Sequence, residues 1–210
     1  MRVRTLLNPL GCLQRFPKRP WPEIFPDFNG NLDVEVGFGS GSFLAHYAPL
    51  HPNRSVVGFE IRKQMVGIAQ RRIDELKLSN VYLGWGNANY GLMDMFDDGS
   101  VDRIFVFHPD PWPKPKQRKR RLVNLEFLTL VASKLKPNGQ LFIATDVPEV
   151  WESILETIKI SNLFQIVADD AFWEAHYKTR WKEMSLERQR SLFYATFTKI
   201  SPTNHPEGSL

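Results

Sequence analysis

At 210 residues, with 42% apolar and 24% charged side chains, the chain has the length and balance of one ordinary globular domain. No apolar run approaches the ~18 residues of a membrane helix. The lone cysteine, Cys12, excludes an internal disulfide and a cysteine-cluster zinc site. Net charge is +4, from 27 basic and 23 acidic residues, and six of the bases fall in one stretch: Lys114, Lys116, Arg118, Lys119, Arg120 and Arg121. Without them 21 bases face 23 acids. The positive excess is therefore local, the footprint of a polyanion partner.

Met1-Arg-Val-Arg leads into no apolar segment with a small-residue cleavage site. No secretory leader is expected, and a cytoplasmic location is. Residues 1–31 hold five prolines, five bases and little periodicity, the composition of an extended, partly disordered arm. One domain is expected over 32–200, then a disordered tail at 201–210. Short apolar runs at 32–37, 55–61, 81–85, 101–108 and 140–145 read as buried strands. A short helix is expected at about 42–48. Met65, Ala69, Ile73 and Leu76 make a helical stripe over 62–78. Leu122, Leu125, Leu128, Val131 and Leu135 make another over 121–136, stopped by Pro137-Asn-Gly139. A further helix is expected at 148–160. Five βα units predict an α/β fold with a mostly parallel sheet and right-handed crossovers. Two late strands, 164–168 and 192–200, lack a crossover helix of ordinary length, so a final antiparallel strand is expected. Ligands of such sheets bind outside the carboxyl ends of the strands.

The first strand ends in Val34-Glu35-Val36-Gly37-Phe38-Gly39-Ser40-Gly41. Gly37, Gly39 and Gly41 allow a sharp turn and close approach of backbone to a ligand. Their G-x-G-x-G spacing differs from the dinucleotide G-x-G-x-x-G. Glu35 sits in an otherwise apolar strand, and a buried carboxylate needs a partner. It would repel a pyrophosphate and attract a cation, which argues against an NAD-dependent oxidoreductase. Glu60, at the end of the second strand, is placed to accept both hydroxyls of a ribose. Asn87 follows the third strand, where an amide can read an adenine edge. Together these suit S-adenosylmethionine, an adenosine carrying a sulfonium cation.

The fourth strand runs into Phe107-His108-Pro109-Asp110-Pro111-Trp112-Pro113-Lys114. Three prolines stiffen this loop, each also restricting the residue before it. Asp110 is held between two of them, Trp112 offers a flat surface for stacking a base, and the basic run follows. An amino-group methyltransferase loop, [DNS]-P-P-[FYW], resembles it superficially, but here a single proline separates acid from aromatic. Asp146, after the fifth strand, reads equally as a helix N-cap or a substrate ligand. His46, His51, His176 and His205 show no metal spacing, and no metal is expected.

On these residues the chain resembles the tRNA (guanine-N7-)-methyltransferases over about 32–200. The most specific match is F-x-PDPW-x-K, here Phe107 to Lys114; the turn from Glu35 to Gly41 and Ala144-Thr145-Asp146 match as well. The resemblance implies the class I, Rossmann-like methyltransferase fold with a seven-stranded sheet. It implies S-adenosyl-L-methionine as donor, S-adenosyl-L-homocysteine as product, and methylation of the variable-loop guanine of tRNA at N7. It implies that Glu35, Glu60, Asn87 and Asp110 contact the cofactor and that Asp110 is catalytic. Lys114 and Asp146 would hold the substrate, and Lys116, Arg118, Lys119, Arg120 and Arg121 the RNA. The family's T-[KR]-[FY]-E substrate motif appears as Thr179, Arg180, Trp181 and Lys182, with Lys182 where the family has Glu. Asn87 stands where many members have Asp. A monomer and a homodimer both accommodate the sequence.

Overall fold

The computed structural model describes residues 7–200. The first six residues of the expected arm and the expected tail at 201–210 lie outside the described residues. Seven strands form one sheet: β1 Leu32–Val36, β2 Ser55–Glu60, β3 Val81–Trp85, β4 Val101–Phe107, β5 Leu135–Thr145, β6 Phe164–Val167 and β7 Phe193–Lys199. Their order is β3-β2-β1-β4-β5-β7-β6. The first five run parallel, and β7 is antiparallel to both β5 and β6. The mostly parallel sheet with a late antiparallel strand is thus as the apolar runs predict.

Side-chain alternation along the strands builds a core on each face. Val34, Val36, Ile104, Val106, Leu141 and Ile143 face α4 (Ala88–Met95), α5 (Leu125–Lys134) and α6 (Pro148–Ser161). Phe105, Phe107, Phe142 and Ala144 face α2 (Ser42–Leu50), α3 (Lys63–Glu75) and α7 (Asp170–Ala175). The helix expected from residue 121 starts at Leu125, because the Asn124 side chain accepts from Phe127 N at 2.9 Å and caps it. The basic residues ahead of it form a 3-10 turn instead, Pro115–Arg120. The link from β6 to β7 carries α7 and then α8, Arg180–Glu187, both too short for the periodicity to stand out.

The expected domain boundary at 32 does not mark a boundary in the packing. Phe16 and Phe25 are buried in the α4–α6 core, with α1 (Trp21–Ile24) packed against it. Arg15 and the Phe16 N–H both bind Asp94 of α4, and Lys18 pairs with Asp97.

Candidate functional site

Chain order reverses between β1 and β4, where doubly wound sheets open a crevice. The turn leaving β1 uses positive φ at Gly37 (+80°), Gly39 (+55°) and Gly41 (+71°). Gly41 has a second constraint: a Cβ there would lie 2.8 Å from the Ala69 Cβ of α3. Two adjoining cavities open beside this turn. One, of about 110 Å³, has Asn87, Asp110 and Trp112 in its wall; the other, of about 430 Å³, has Glu35, Thr179 and Arg180. Gly37, Arg62, Phe107 and His108 line both.

Glu35 is 3% exposed and its Oε2 has no hydrogen-bond partner. Burial, helped by the Glu60 charge, pushes its carboxyl up to about 8. It is therefore largely protonated at pH 7, a buried acid facing a cavity. Glu60, also 3% exposed, is fully engaged. Gly39 N donates to its Oε2, Arg62 N to its Oε1, and the Arg62 guanidinium to both oxygens through Nε and Nη2, all at 2.9 Å. Asn87 lines the smaller cavity, and its amide is partly engaged: Oδ1 accepts from Asn89 N at 3.0 Å, capping α4, and Nδ2 donates to Pro9 O at 3.1 Å. These two bonds leave one N–H and one oxygen lone pair of the amide over.

The proline-locked loop carries two non-glycine residues at positive φ, His108 (+51°) and Trp112 (+40°), a conformation that persists only when its surroundings hold it. Arg121 Nε donates to Pro111 O at 2.9 Å, and the Arg120 guanidinium lies over the Trp112 ring at 5.0 Å. Two expectations change here. Trp112 is buried at 4% exposure, so it is a wall of the cavity and not a free platform for a base. Arg121 is partly buried, with burial lowering its pKa, and it pins the loop. Lys114, Lys116, Arg118 and Lys119 stay exposed at the rim.

Of the two readings open for Asp146, the cap fails. The residue before α6 is Val147, with no side-chain cap, so Asp146 does not cap the helix. It is 7% exposed. Its Oδ1 accepts from Trp181 Nε1 at 3.0 Å and meets His108 Nδ1 at 3.3 Å; its Oδ2 accepts from Ser185 Oγ at 2.9 Å and Arg190 Nη1 at 2.7 Å. Burial opposes ionisation, but these donors together hold its carboxyl far below the usual carboxylate range. An ionised Asp146 only accepts, so His108 carries its proton on Nδ1. Its Nε2 meets the Tyr177 hydroxyl at 2.6 Å. Burial pushes that phenol well above its ordinary value, so it keeps its proton. This Tyr177–His108–Asp146–Arg190 chain joins the end of β4 to the end of β5 and to α8.

The 179–182 motif serves the same join. Thr179 caps α8, accepting from Lys182 N at 2.9 Å, and the Arg180 N–H donates to Ser42 Oγ at 3.1 Å. Lys182 turns away from both cavities: its Nζ donates to Tyr177 O at 3.0 Å and lies over the Tyr177 ring. Sequence reasoning passed over Arg62, Tyr177 and Arg190; only Arg62, two residues after Glu60, carried a local signal. Among the described residues no group of three or more His, Cys, Asp or Glu is placed to hold a metal, and no helix is long and apolar enough to cross a membrane.

A family model described as a putative methyltransferase matches residues 29–193. A tRNA (guanine-N(7)-)-methyltransferase from Thermotoga maritima is 35% identical over 175 residues, 80% of this chain and 56% of the relative's length. One from Thermosynechococcus vestitus is 32% identical over 172 residues, covering 81% of each chain. In three dimensions the fold matches a SAM-dependent methyltransferase from Aquifex aeolicus at TM-score 0.55 and 16% identity, covering 86% of this chain and 92% of that one. Identity of this level across most of the domain, on the methyltransferase sheet with its glycine turn in place, has one consequence: the chain belongs to the tRNA (guanine-N7-)-methyltransferase family.

Proposed function

We propose that the protein transfers the methyl group of S-adenosyl-L-methionine to N7 of the variable-loop guanine of tRNA. The observation that carries this reading is the meeting, at one rim, of the unpartnered Glu35 Oε2 with the rigid Asp110 loop and its basic turn. The names of the relatives support the substrate and the atom.

The donor set fits a cationic adenosine derivative. Glu35 has a buried oxygen awaiting a positive partner, the glycine turn leaves room for close backbone contact, and Glu60 is a charged acceptor for ribose hydroxyls. Glu35, Gly37, Gly39, Gly41, Glu60 and Asp110 would hold the group, with Asn87 shaping its wall. When bound, S-adenosyl-L-methionine supplies an electrophilic methyl carbon and leaves as S-adenosyl-L-homocysteine.

Guanine N7 has an in-plane lone pair and no proton, so the chain needs no general base. Its residues must align the purine and tolerate the positive charge it acquires. Asp110, held between Pro109 and Pro111, accepts from guanine N–H groups and faces that charge, a preorganised electrostatic role. Alignment in such a rigid frame is worth as much as ~7–11 kcal/mol in favourable cases. Lys114, Lys116, Arg118 and Lys119 meet the phosphates and bring the tRNA to the rim. Extracting a stacked base costs a few kcal/mol, drawn from those contacts.

The test is incubation with unmodified tRNA and labelled donor, followed by aniline cleavage at N7-methylguanine. Label at the variable-loop guanine is the expected result. Cleavage at another site, or no transfer, overturns the proposal.

A further inference from the structure

A carboxylate offers about four lone-pair sites, and in Glu60 all four are taken. Oε1 accepts from Arg62 N and Nε, and Oε2 from Gly39 N and Arg62 Nη2. A vicinal diol needs two of them. Gly39 N and Arg62 N belong to the backbone of the turns that shape the site, so they stay. The guanidinium is the part that can leave: it sits on a flexible side chain that is 29% exposed, against 3% for Glu60. It also lines both cavities, in the path of anything entering from the rim.

We propose that Arg62 is an exchangeable latch on the ribose acceptor. A nucleoside's two hydroxyls take Glu60 only by displacing the guanidinium. The latch keeps a buried carboxylate compensated until a diol arrives. Arg62 therefore sets the affinity for the nucleoside part of the donor, favouring ligands that present both hydroxyls over those with one. The displaced cation is not left without compensation. Asp110 lines the same cavity, and its charge, after the direct contacts with Glu60, helps hold the Arg62 pKa up. This inference rests on the proposed assignment of Glu60 to the ribose.

The two roles open to Arg62 predict opposite signs. A permanent buttress orients Glu60, so its loss weakens both folding and ligand binding. A latch competes with the ligand, so its loss weakens folding and tightens binding. The probe is S-adenosyl-L-homocysteine, titrated by calorimetry into the full chain. Arg62→Met is expected to lower Tm yet bind the probe roughly tenfold more tightly, a change of about 1.4 kcal/mol. Arg62→Lys, which keeps the charge but loses the two-pronged grip, is expected to fall between, and it stands in if the Met variant does not fold. Unchanged or weaker binding by the folded variant overturns the latch. Glu60→Gln separates this from failure of the underlying reading. If Glu60→Gln weakens binding while Arg62→Met fails to tighten it, the ribose assignment stands and the latch falls. If Glu60→Gln leaves binding unchanged, the ribose assignment itself falls.

Discussion

Glu35 was legible as an anomaly, an acid inside an apolar strand, because burial of charge is a one-residue argument. The structure adds its consequence. With its carboxyl pushed up to about 8, Glu35 holds a proton at pH 7, and a cation bound beside it lowers that value and expels the proton. Binding of S-adenosyl-L-methionine at pH 7 is therefore expected to release close to one proton, and affinity to rise as pH climbs toward 8. Calorimetry in phosphate and in Tris, whose ionisation enthalpies differ widely, reads this directly; identical heats in the two buffers would refute it. Asp110 carries the second prediction at this scale. Asp110→Asn keeps both flanking prolines and nearly the same shape, and removes the charge that the proposed mechanism sets against the purine. Losing one preorganised electrostatic group of this kind lowers turnover by about 10²–10³. Single-turnover transfer at saturating donor and tRNA checks it, and near-normal turnover would reduce Asp110 to a turn residue. The free-platform reading of Trp112 and the cap reading of Asp146 both fail on packing. The Trp112 ring is covered by Arg120, and Asp146 is claimed by Trp181, Ser185 and Arg190, 35 to 44 residues downstream. Partners so far downstream of Asp146 leave no trace in local spacing, and Arg120 reaches the Trp112 ring only through the fold of the 3-10 turn.

Elements with a strong period were recovered from the sequence, and several short helices without one were missed. The strands β1 to β5 are short apolar runs bounded by turn residues, and α3 carries its stripe openly. The helices α7 and α8 are six and eight residues long, too short for a stripe. Yet α7 closes one face of the core and brings Tyr177 to His108. Its packing on α2 sets a pH dependence. His51 after α2 and His176 after α7 lie with ring centroids 4.7 Å apart, and His51 Nε2 and His176 Nδ1 are buried without hydrogen-bond partners. Burial lowers both pKa values, His51 to about 4, with His46, Arg54 and Arg103 adding to the repulsion. Since the folded value lies below the unfolded one of ~6.5, the unfolded chain takes protons first. The stabilisation from these neutral rings is lost as pH falls from about 6.5 toward 4. His51→Phe with His176→Phe should shrink the fall in Tm between pH 7 and pH 4.5. A fall as steep as in the parent chain would show that these rings do not drive it.

At the scale of the whole molecule the placing of the glycine turn and the proline-locked loop at one rim follows from a parallel sheet, whose strands all end on the same side. That is why the class of chemistry was readable before its geometry. The expected boundary at residue 32 was less faithful, because proline-rich composition hides the anchors Phe16 and Phe25 that bind the early segment to the core. The basic run shows the same division between composition and placement. Composition marks six bases as a polyanion footprint, but the fold sorts them. Arg120 covers Trp112 and Arg121 holds Pro111, so these two build the site. Lys116, Arg118 and Lys119 project from the 3-10 turn with exposed side chains, so these, with Lys114 beside them, are the bases proposed to meet the polyanion. Each phosphate neutralised by such a charge contributes ~0.7–0.9 to the slope of log affinity against log salt, through release of counterions. Replacing Lys116, Arg118 and Lys119 together by Ala is expected to flatten that slope by about 2 and to weaken tRNA binding most at low salt. Affinity for the donor should hold, since none of the three lines either cavity. The measurement is tRNA affinity at several salt concentrations for parent and variant. A slope that does not move would return the run to a solvated surface and shift the search for the RNA contacts to the other bases of the rim, Arg72 and Arg180.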